Sequence, residues 1–384
     1  MMLKLSKDKL ETLVQSQAIE RISVEELFEF FRREEAVQKF IPDGIYQTDP
    51  RDDAVIVYNS ARAKRPHGYN KPETATGQEK TCPVCEGNTT KVIDFTPLSQ
   101  GFTFINKNMF PMLYPDTLSA NPQSSKQSPT SSSGTAESRR AYGIHLLQWT
   151  SSEHEKDWHN MPLDDCRVVM QRLAAVEKKL LLESGDLMPE SEDDNNREQQ
   201  TAGYVSIIKN CGPLVGGSLP HGHQQIAYSN VMPRRFAENR QFMAARGETL
   251  SAYLLRENPA ELTVMDYGQT VLLTPYFMRR PYASMLIVKD TSKQYLHELS
   301  EQELSEVTRG WSDAIRAMLR IMPQIGREPA YNVVTHNGPG AGLYFEFLPY
   351  TQETGGYEHL GLWICQNTPA QAAETLRTAL NAET

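Results

Sequence analysis

Residues 204–229 read YVSIIKNCGPLVGGSLPHGHQQIAYS, and this stretch decides the fold. It starts with a β-branched strand pattern, passes through glycines at 212, 216 and 217, and ends in a second strand pattern. Residues 331–342 repeat the order, with YNVVTHN followed by Gly338-Pro339 and Gly342. Two antiparallel strands joined by a glycine-rich turn are therefore expected twice.

The repeat extends upstream of each strand pair. AYGIHLLQWT (141–150) precedes the helical pattern LDDCRVVMQRLAAVEKKLL, and PYASMLIVK (281–289) precedes SEQELSEVTRGWSDAIRAMLR. Each unit reads strand, helix, strand, glycine-rich turn, strand. The sequence thus predicts an α+β fold of two tandem modules, each an antiparallel sheet with a long helix, joined in one continuous sheet.

The remaining chain adds an N-terminal extension and two polar loops. Residues 6–40 are predicted to be helical, with a capping box of Ser23 and Glu26, and strands are predicted at 54–58 and 102–106. Residues 117–140 and 190–200 are too polar to bury and are predicted to be loops. The predicted division is 1–46 for the helical extension, 47–230 for the first module and 231–384 for the second.

Composition excludes several classes of protein. The 384 residues carry a formal net charge of -9, which argues against a nucleic-acid partner. The mean hydropathy is -0.52, and no apolar run approaches the roughly 20 residues that span a bilayer. The N-terminus lacks the apolar core of a signal peptide, so we expect a cytoplasmic protein with no membrane partner.

His221, His223 and Gln225 occupy alternate positions of the second strand pattern. Alternate residues of a strand project to one face, so the three side chains are expected to lie together beside the glycine turn. Glycines there let backbone amides approach a phosphate closely. The alternative is a histidine pair that is merely exposed or binds only a metal.

Of the five cysteines, Cys82 and Cys85 form a C-x-x-C pair. Such a pair supplies half of a tetrahedral zinc site and needs two more nitrogen or sulfur ligands. The alternative is two reduced cysteines without a metal. An odd number of scattered cysteines does not suggest a disulfide framework.

H-x-H-x-Q after a G-x-S loop resembles the histidine-triad superfamily, and in particular its tandem branch, the galactose-1-phosphate uridylyltransferase family. Other segments resemble that family in the same order: VIVYNSARAKRP at 55–66, CPVCEGN at 82–88, NKNMFPML at 106–113, GGYEHL at 355–360 and TPAQAAETLR at 368–377. The resemblance spans residues 47–377. The family's usual motif is H-P-H-x-Q, whereas this chain has Gly222 in place of the proline.

The resemblance implies a nucleophilic role for His223 and a catalytic role for Gln225, whose amide would hold the nonbridging phosphate oxygens. A neutral imidazole is nucleophilic at pH 7 without a separate base. The resemblance also implies a set of substrate-binding residues: Arg62, Arg65, Asn108, Asn210, Gly216, Ser218, Tyr357 and Glu358.

Metal binding is also implied by the resemblance. It adds His154 and His221 to Cys82 and Cys85 as the ligands of a structural zinc, with His159 or His145 as alternative fourth ligands. A second family metal site would fall on His336 and Glu346. Tyr344 stands where a histidine is expected, so that site is expected to be weak or absent.

Three functions are compatible with these residues. The first is exchange of a nucleotide between a nucleotide sugar and a phosphorylated small-molecule acceptor, as in a hexose-1-phosphate uridylyltransferase. The second is a phosphorylase of the same superfamily, with inorganic phosphate as acceptor, and the third is a zinc-stabilised module without activity. The intact H-x-H-x-Q argues against the third. QETG at 352–355 and Ile364 depart from the family's hexose-binding residues.

The resemblance also implies a homodimer in which the G-Y-E segment completes the partner's site.

Overall fold

The structure is a computed structural model that describes residues 3–64, 82–115, 138–184, 187 and 203–382. The strands are β1 Ile45–Thr48, β2 Val55–Tyr58, β3 Val92–Leu98, β4 Gly101–Lys107, β5 Arg139–Arg140, β6 Gly143–Trp149, β7 Tyr204–Cys211, β8 His223–Ser229, β9 Thr263–Asp266, β10 Thr270–Leu273, β11 Ser284–Val288, β12 Tyr331–His336 and β13 Tyr344–Pro349. The helices are α1 Lys7–Leu13, α2 Val24–Arg32, α3 Glu35–Gln38, α4 Leu163–Leu182, α5 Arg234–Arg246, α6 Leu250–Glu257, α7 Glu301–Gln324, α8 Gly356–His359 and α9 Pro369–Asn381.

A ten-stranded antiparallel sheet forms the centre of the molecule. Its strand order is β3-β4-β6-β8-β7-β12-β13-β11-β10-β9, so five strands of the first module are followed by five of the second in mirrored order. The two modules meet at β7 and β12, where Cys211 pairs with Tyr331 and Ile208 with Val334. The tandem α+β fold with one continuous sheet is therefore confirmed.

The long helices α4 and α7 cover one face of this sheet. They contact each other, and the ring of Trp311 on α7 lies 5.4 Å from that of Trp158 between centroids. Ile207 and Ile226 from the first module and Val333 from the second contribute to the same buried core. Because neighbouring strand residues alternate between faces, Gln225 and Ile208 lie on the opposite face. We call this opposite face the open face.

The N-terminal residues differ from the single helical region predicted for 6–40. They form α1, a 3₁₀ turn at Ile19–Arg21, α2 and α3, separated by residues in other conformations. The interruption has a tertiary cause: Val14 bridges to Val92, and the amide of Gln15 donates to the Val92 carbonyl over 2.8 Å. Residues near 14 thus continue the edge of the sheet. The capping box of Ser23 and Glu26 is present at the start of α2.

A small sheet of order β2-β1-β5 lies beside the first module. Its strand β2 matches the strand predicted at 54–58, and β4 matches the one predicted at 102–106. Most of the polar segment predicted as a loop at 117–140 lies outside the described residues, but Arg139 and Arg140 form β5 against β1. The acidic segment 190–200 also lies outside them. No helix in the described ranges is long and apolar enough to cross a membrane.

Candidate active site

His223 is the first residue of β8 and lies on the open face. It pairs with Trp149 of β6, whose ring lies 4.8 Å from the His223 ring and 5.4 Å from the His221 ring between centroids. Only 4% of His223 and 6% of Gln225 are exposed. The predicted grouping of His221, His223 and Gln225 on one face is therefore consistent with the sheet register.

A short hydrogen bond sets the orientation of the His223 ring. Nδ1 lies 2.8 Å from the carbonyl oxygen of His221. A carbonyl can only accept, so Nδ1 carries the proton and donates, which leaves the lone pair of the neutral ring on Nε2. A nitrogen in this state is chemically able to act as a nucleophile without a separate base.

Four buried or half-buried side chains beside this strand form a cluster suited to a metal ion. The ligand atoms of Cys82, Cys85, His154 and His221 all lie within 4.8 Å of one another. The Cys85 sulfur lies 3.6 Å from His221 Nδ1 and 3.8 Å from His154 Nδ1. A tetrahedral zinc with ordinary Zn–S and Zn–N bond lengths places such atoms about 3.6 Å apart, so the spacing fits that ion.

The protonation states of the cluster also suit a cation. The Nε2 of His221 donates to the Ser151 carbonyl over 2.7 Å, which leaves Nδ1 as the ligand atom. Burial lowers the pKa of His221 to about 4, so the ring is neutral at pH 7. Burial and the neighbouring Cys82 raise the pKa of Cys85 to about 12. The thiol would therefore stay protonated unless a positive ion stabilised the thiolate.

The two alternative ligands lie elsewhere. His145 contacts the side-chain amide of Asn108 at 3.4 Å and accepts at Nδ1 from the backbone amide of Met112. His159 follows the buried Asp157, and burial lowers the pKa of its ring. Neither histidine belongs to the described group that could hold a metal.

A charged pair is buried behind β8, on the helix-covered face. Lys209 Nζ lies 2.7 Å from Asp157 Oδ2 and donates to the His223 carbonyl over 3.4 Å. The other carboxylate oxygen accepts from the hydroxyl of Thr150 and the backbone amide of Trp158. Burial alone would raise the pKa of Asp157, but the Lys209 ammonium outweighs burial and the pKa is lowered. The carboxylate is therefore ionised and held on several sides.

Gly222 packs directly against this carboxylate. A Cβ atom at Gly222 would lie 2.5 Å from Asp157 Cγ and 2.8 Å from Oδ2. Since Asp157 is fixed by its partners, it cannot move aside cheaply. The glycine that replaces the usual proline of the motif is thus required by a buried ion pair. Sequence patterns did not reveal Asp157 or Lys209, since the two residues are far apart in the chain.

The glycine turn before β8 contains two positions that require glycine. Gly216 has a φ of 83°, and a Cβ at Gly217 would lie 2.7 Å from the Gly212 carbonyl oxygen. Ser218 follows and is buried. Asn210, at the end of β7, accepts at Oδ1 from the side-chain amide of Asn332 over 2.7 Å. Asn332 also donates to the Val215 carbonyl, so the second module supports the turn.

The other predicted substrate residues are spread over the molecule. Arg62 is half-buried in the 3₁₀ turn Ser60–Lys64, and burial lowers the pKa of its guanidinium. Arg65 lies outside the described residues. Asn108 is buried against His145, as described above. Tyr357 and Glu358 lie on α8 in the second module, where Glu358 accepts from the Gly355 amide and Tyr357 is 60% exposed.

The register identifies the second-module counterparts of His223 and Gln225. The turns that begin at Gly212 and Gly338 are equivalent in the repeat, so Ile208 corresponds to Val334. Ile208 pairs with Gln225, and Val334 pairs with Glu346. Glu346 is therefore the counterpart of Gln225. Tyr344, two residues earlier on β13, stands where β8 has His223.

The candidate residues of the second metal site contact each other directly. His336 Nε2 lies 2.6 Å from Glu346 Oε2, and the His336 ring stacks on Tyr344 with centroids 4.3 Å apart. Among the residues that the structure describes, the group able to hold a metal is the one around Cys82. A weak or absent second site stays a prediction.

We predict that Gly222→Ala lowers the free energy of unfolding by about 2 kcal/mol, because the added methyl group overpacks the site against Asp157. In an Asp157→Ala/Lys209→Met background the same change should cost much less, since the clash is removed. Urea unfolding of all four proteins measures this coupling. Gly356→Ala is the control, because a Cβ there meets no atom within 4 Å. Equal costs in both backgrounds would contradict the packing argument.

Comparisons with known proteins agree with this geometry. Residues 45–233 match the family model described as galactose-1-phosphate uridyl transferase, N-terminal domain. An ADP-glucose phosphorylase from Arabidopsis thaliana is 21% identical over 86% of this chain and 91% of its own length. A galactose-1-phosphate uridylyltransferase from Cryptococcus neoformans var. neoformans is 24% identical over 85% of this chain and 87% of its own length.

The fold has a close counterpart among solved structures. A structure titled "Structure of uridylyltransferase" superposes with a TM-score of 0.64 at 19% identity, over 88% of this chain and 99% of that one. The family match covers the first module with its H-x-H-x-Q strand, and the similarity of fold extends through the second. The chain belongs to the galactose-1-phosphate uridylyltransferase family.

Proposed function

We propose that this chain is a nucleotidyltransferase that moves a nucleoside monophosphate from a nucleotide sugar to a phosphorylated acceptor through a covalent intermediate on His223. The observation that carries the proposal is the hydrogen bond from His223 Nδ1 to the His221 carbonyl, beside the glycine turn. It fixes the reactive tautomer at a point where backbone amides can approach a phosphate. The uridylyltransferase among the relatives supports the same reaction class.

Two displacements complete the reaction. The Nε2 lone pair of His223 attacks the α-phosphorus, a P–N bond forms, and the bond from phosphorus to the oxygen of the leaving sugar phosphate breaks. An oxygen of the acceptor phosphate then attacks the same phosphorus, and the P–N bond breaks to regenerate the imidazole. The Gln225 amide would donate to a nonbridging oxygen, since positioning and electrostatics supply most of phosphoryl-type catalysis.

The remaining substrate contacts are assigned by the family motifs that these residues match. Gly216, Ser218 and Asn210 would contact phosphate or nucleotide at the glycine turn. We assign Arg62, Arg65 and Asn108 to the same substrate on the side of the first module. Tyr357 and Glu358 would contact the sugar.

A phosphorylase reaction is the second candidate. Gly222 departs from the family's H-P-H-x-Q motif, and QETG (352–355) and Ile364 depart from its hexose-binding residues. An ADP-glucose phosphorylase is also among the relatives. In that reaction inorganic phosphate would replace the sugar phosphate as acceptor. Radiolabel transfer from UDP-glucose and ADP-glucose, with inorganic phosphate or a hexose 1-phosphate as acceptor, separates the two.

We further propose that the Cys82, Cys85, His154 and His221 cluster holds a structural zinc. The buried, closed donor set with no open position supports this role. Bound zinc would fix His221, whose carbonyl accepts from the nucleophile. It would therefore orient the nucleophile without contacting the substrate.

Homodimer formation is proposed from the segment around α8. Tyr357, Leu360, Leu362 and Ile364 are 57% to 77% exposed in the single chain, which is a large apolar surface to leave in water. A two-fold axis would place this segment of each chain at the partner's active site, so that Glu358 serves the other subunit.

Location in the cytoplasm stays a proposal from the sequence.

We predict that His223→Asn lowers nucleotide transfer at least about a thousandfold, because asparagine cannot form the covalent intermediate. Metal content and the thermal unfolding midpoint should stay unchanged. Steady-state transfer assays, metal analysis and thermal melts measure the three quantities. Retention of more than a few per cent of activity would remove His223 from its assigned role.

We predict one zinc ion per chain by elemental analysis. Cys85→Ser should lose the metal and lower the unfolding midpoint more than His223→Asn does, because a structural metal contributes directly to folding free energy. The control variants His145→Asn and His159→Asn should keep the metal. Purified protein that contains no zinc, or His159→Asn protein that loses it, would refute this ligand set.

We predict that His223→Asn and Glu358→Ala chains, each inactive alone, regain about a quarter to a half of wild-type activity when co-assembled, since each heterodimer has one intact site. Differently tagged chains purified in tandem isolate the heterodimer. Sedimentation as a monomer, or proven heterodimers without activity, would exclude a shared site.

A further inference from the structure

We propose that the second module holds a separate binding site for a nucleoside phosphate, in a cavity on the open face. The cavity has a volume of about 380 Å³, and its lining includes Asn239, Arg279, Arg280, Ser284, Glu346 and Trp363. This volume is within the range of small-molecule sites, roughly 300 to 1,000 Å³. We call it the second-module pocket.

The internal repeat gives the first argument. Glu346 and Tyr344 line the second-module pocket, and they are the counterparts of Gln225 and His223. The pocket thus occupies in the second module the place that the active site occupies in the first. This argument for a nucleotide rests on the proposed function of the first module. Tyr344 has no imidazole nitrogen, and its hydroxyl donates to Asn239 Oδ1 over 3.3 Å, so the site would bind its ligand without reacting with it.

A buried polar atom in the pocket wall gives an independent argument. Asn239 lines the pocket and is 5% exposed. Its Nδ2 has no hydrogen-bond partner within the described part of the chain. A buried donor left unsatisfied costs free energy, about 1–3 kcal/mol, so this atom indicates a ligand that completes it.

The charges of the pocket favour an anion. Its two carboxylates are already engaged, Glu346 with His336 and Glu238 with Arg235. Arg279 and Arg280 make no direct ion pair among the described residues, although Arg279 lies near enough to Glu346 to help lower its pKa, after His336. Arg280 donates to the Thr354 hydroxyl over 3.5 Å. Two guanidinium groups that are not locked in a direct ion pair are suited to a phosphate, which they can bind through paired hydrogen bonds.

An aromatic ring beside these arginines suggests what the phosphate is attached to. The Arg279 guanidinium lies 5.4 Å from the Trp363 ring centroid, and Trp363 is 38% exposed. Phe242 and Phe277 also line the pocket. A nucleobase can stack on such a ring, so we assign a nucleoside phosphate to the pocket.

Equilibrium dialysis with radiolabelled UMP and AMP tests the proposal. Wild-type protein should bind two nucleotides per chain, one in the active site and one in the second-module pocket. Arg279→Ala/Arg280→Ala should bind the second at least tenfold more weakly while the first is bound as in wild type. Asn239→Ala, a smaller change, should also weaken the second event. Arg33→Ala/Arg309→Ala removes two exposed arginines outside the pocket and should bind like wild type.

The outcomes separate this proposal from the proposed reaction. If the wild-type chain binds only one nucleotide, the second-module site is overturned even when transfer is normal. The same holds if both pocket variants still bind two nucleotides with wild-type affinity. Two nucleotides in a protein without transfer activity would support the pocket and count against the proposed reaction. Inorganic phosphate and glucose 1-phosphate serve as competitors for labelled UMP at the second site. If either displaces it as effectively as unlabelled UMP does, the assignment of a nucleoside phosphate is overturned.

Discussion

The hydrogen bond from His223 to the His221 carbonyl couples two parts of the first module that differ in purpose. His221 belongs to the cluster that could hold a metal ion, and His223 carries the nitrogen that we propose as the nucleophile. Because the His221 carbonyl accepts this bond, a shift of His221 would weaken the contact that sets the orientation and tautomer of the His223 ring. The His221 ring is in turn tied to Ser151, so the cluster, the strand β8 and the loop after β6 form one rigid support.

The same strand is held from behind by a second constraint. The buried pair of Asp157 and Lys209 fills the space beneath Gly222 and contacts the His223 carbonyl. A buried ion pair is costly unless its remaining hydrogen bonds are satisfied, and here Thr150 and Trp158 satisfy the carboxylate. This pair explains the glycine in H-G-H-x-Q as a packing requirement, with the two histidines kept in place on the other face of the sheet.

Much of this architecture could be predicted from sequence, because strand alternation, helix periodicity and capping residues act locally. The repeated strand pairs, α4, α7 and the Ser23–Glu26 capping box are examples. The break after α1 could not be predicted, since it depends on pairing with Val92, far along the chain. Lys209 and Asp157 escaped notice for the same reason. The unsatisfied donor of Asn239 becomes visible only when every neighbour is known.

The duplicated sheet keeps its geometry in both halves, while the side chains differ because His223 and Gln225 are matched by Tyr344 and Glu346. The central claim is that His223 becomes nucleotidylated. Mass spectrometry of protein mixed briefly with a nucleotide sugar and quenched in base, where a phosphoramidate survives, measures this directly. The account predicts an acid-labile nucleoside monophosphate adduct on the peptide that contains His223. Turnover without any adduct, or an adduct on another residue, would contradict it.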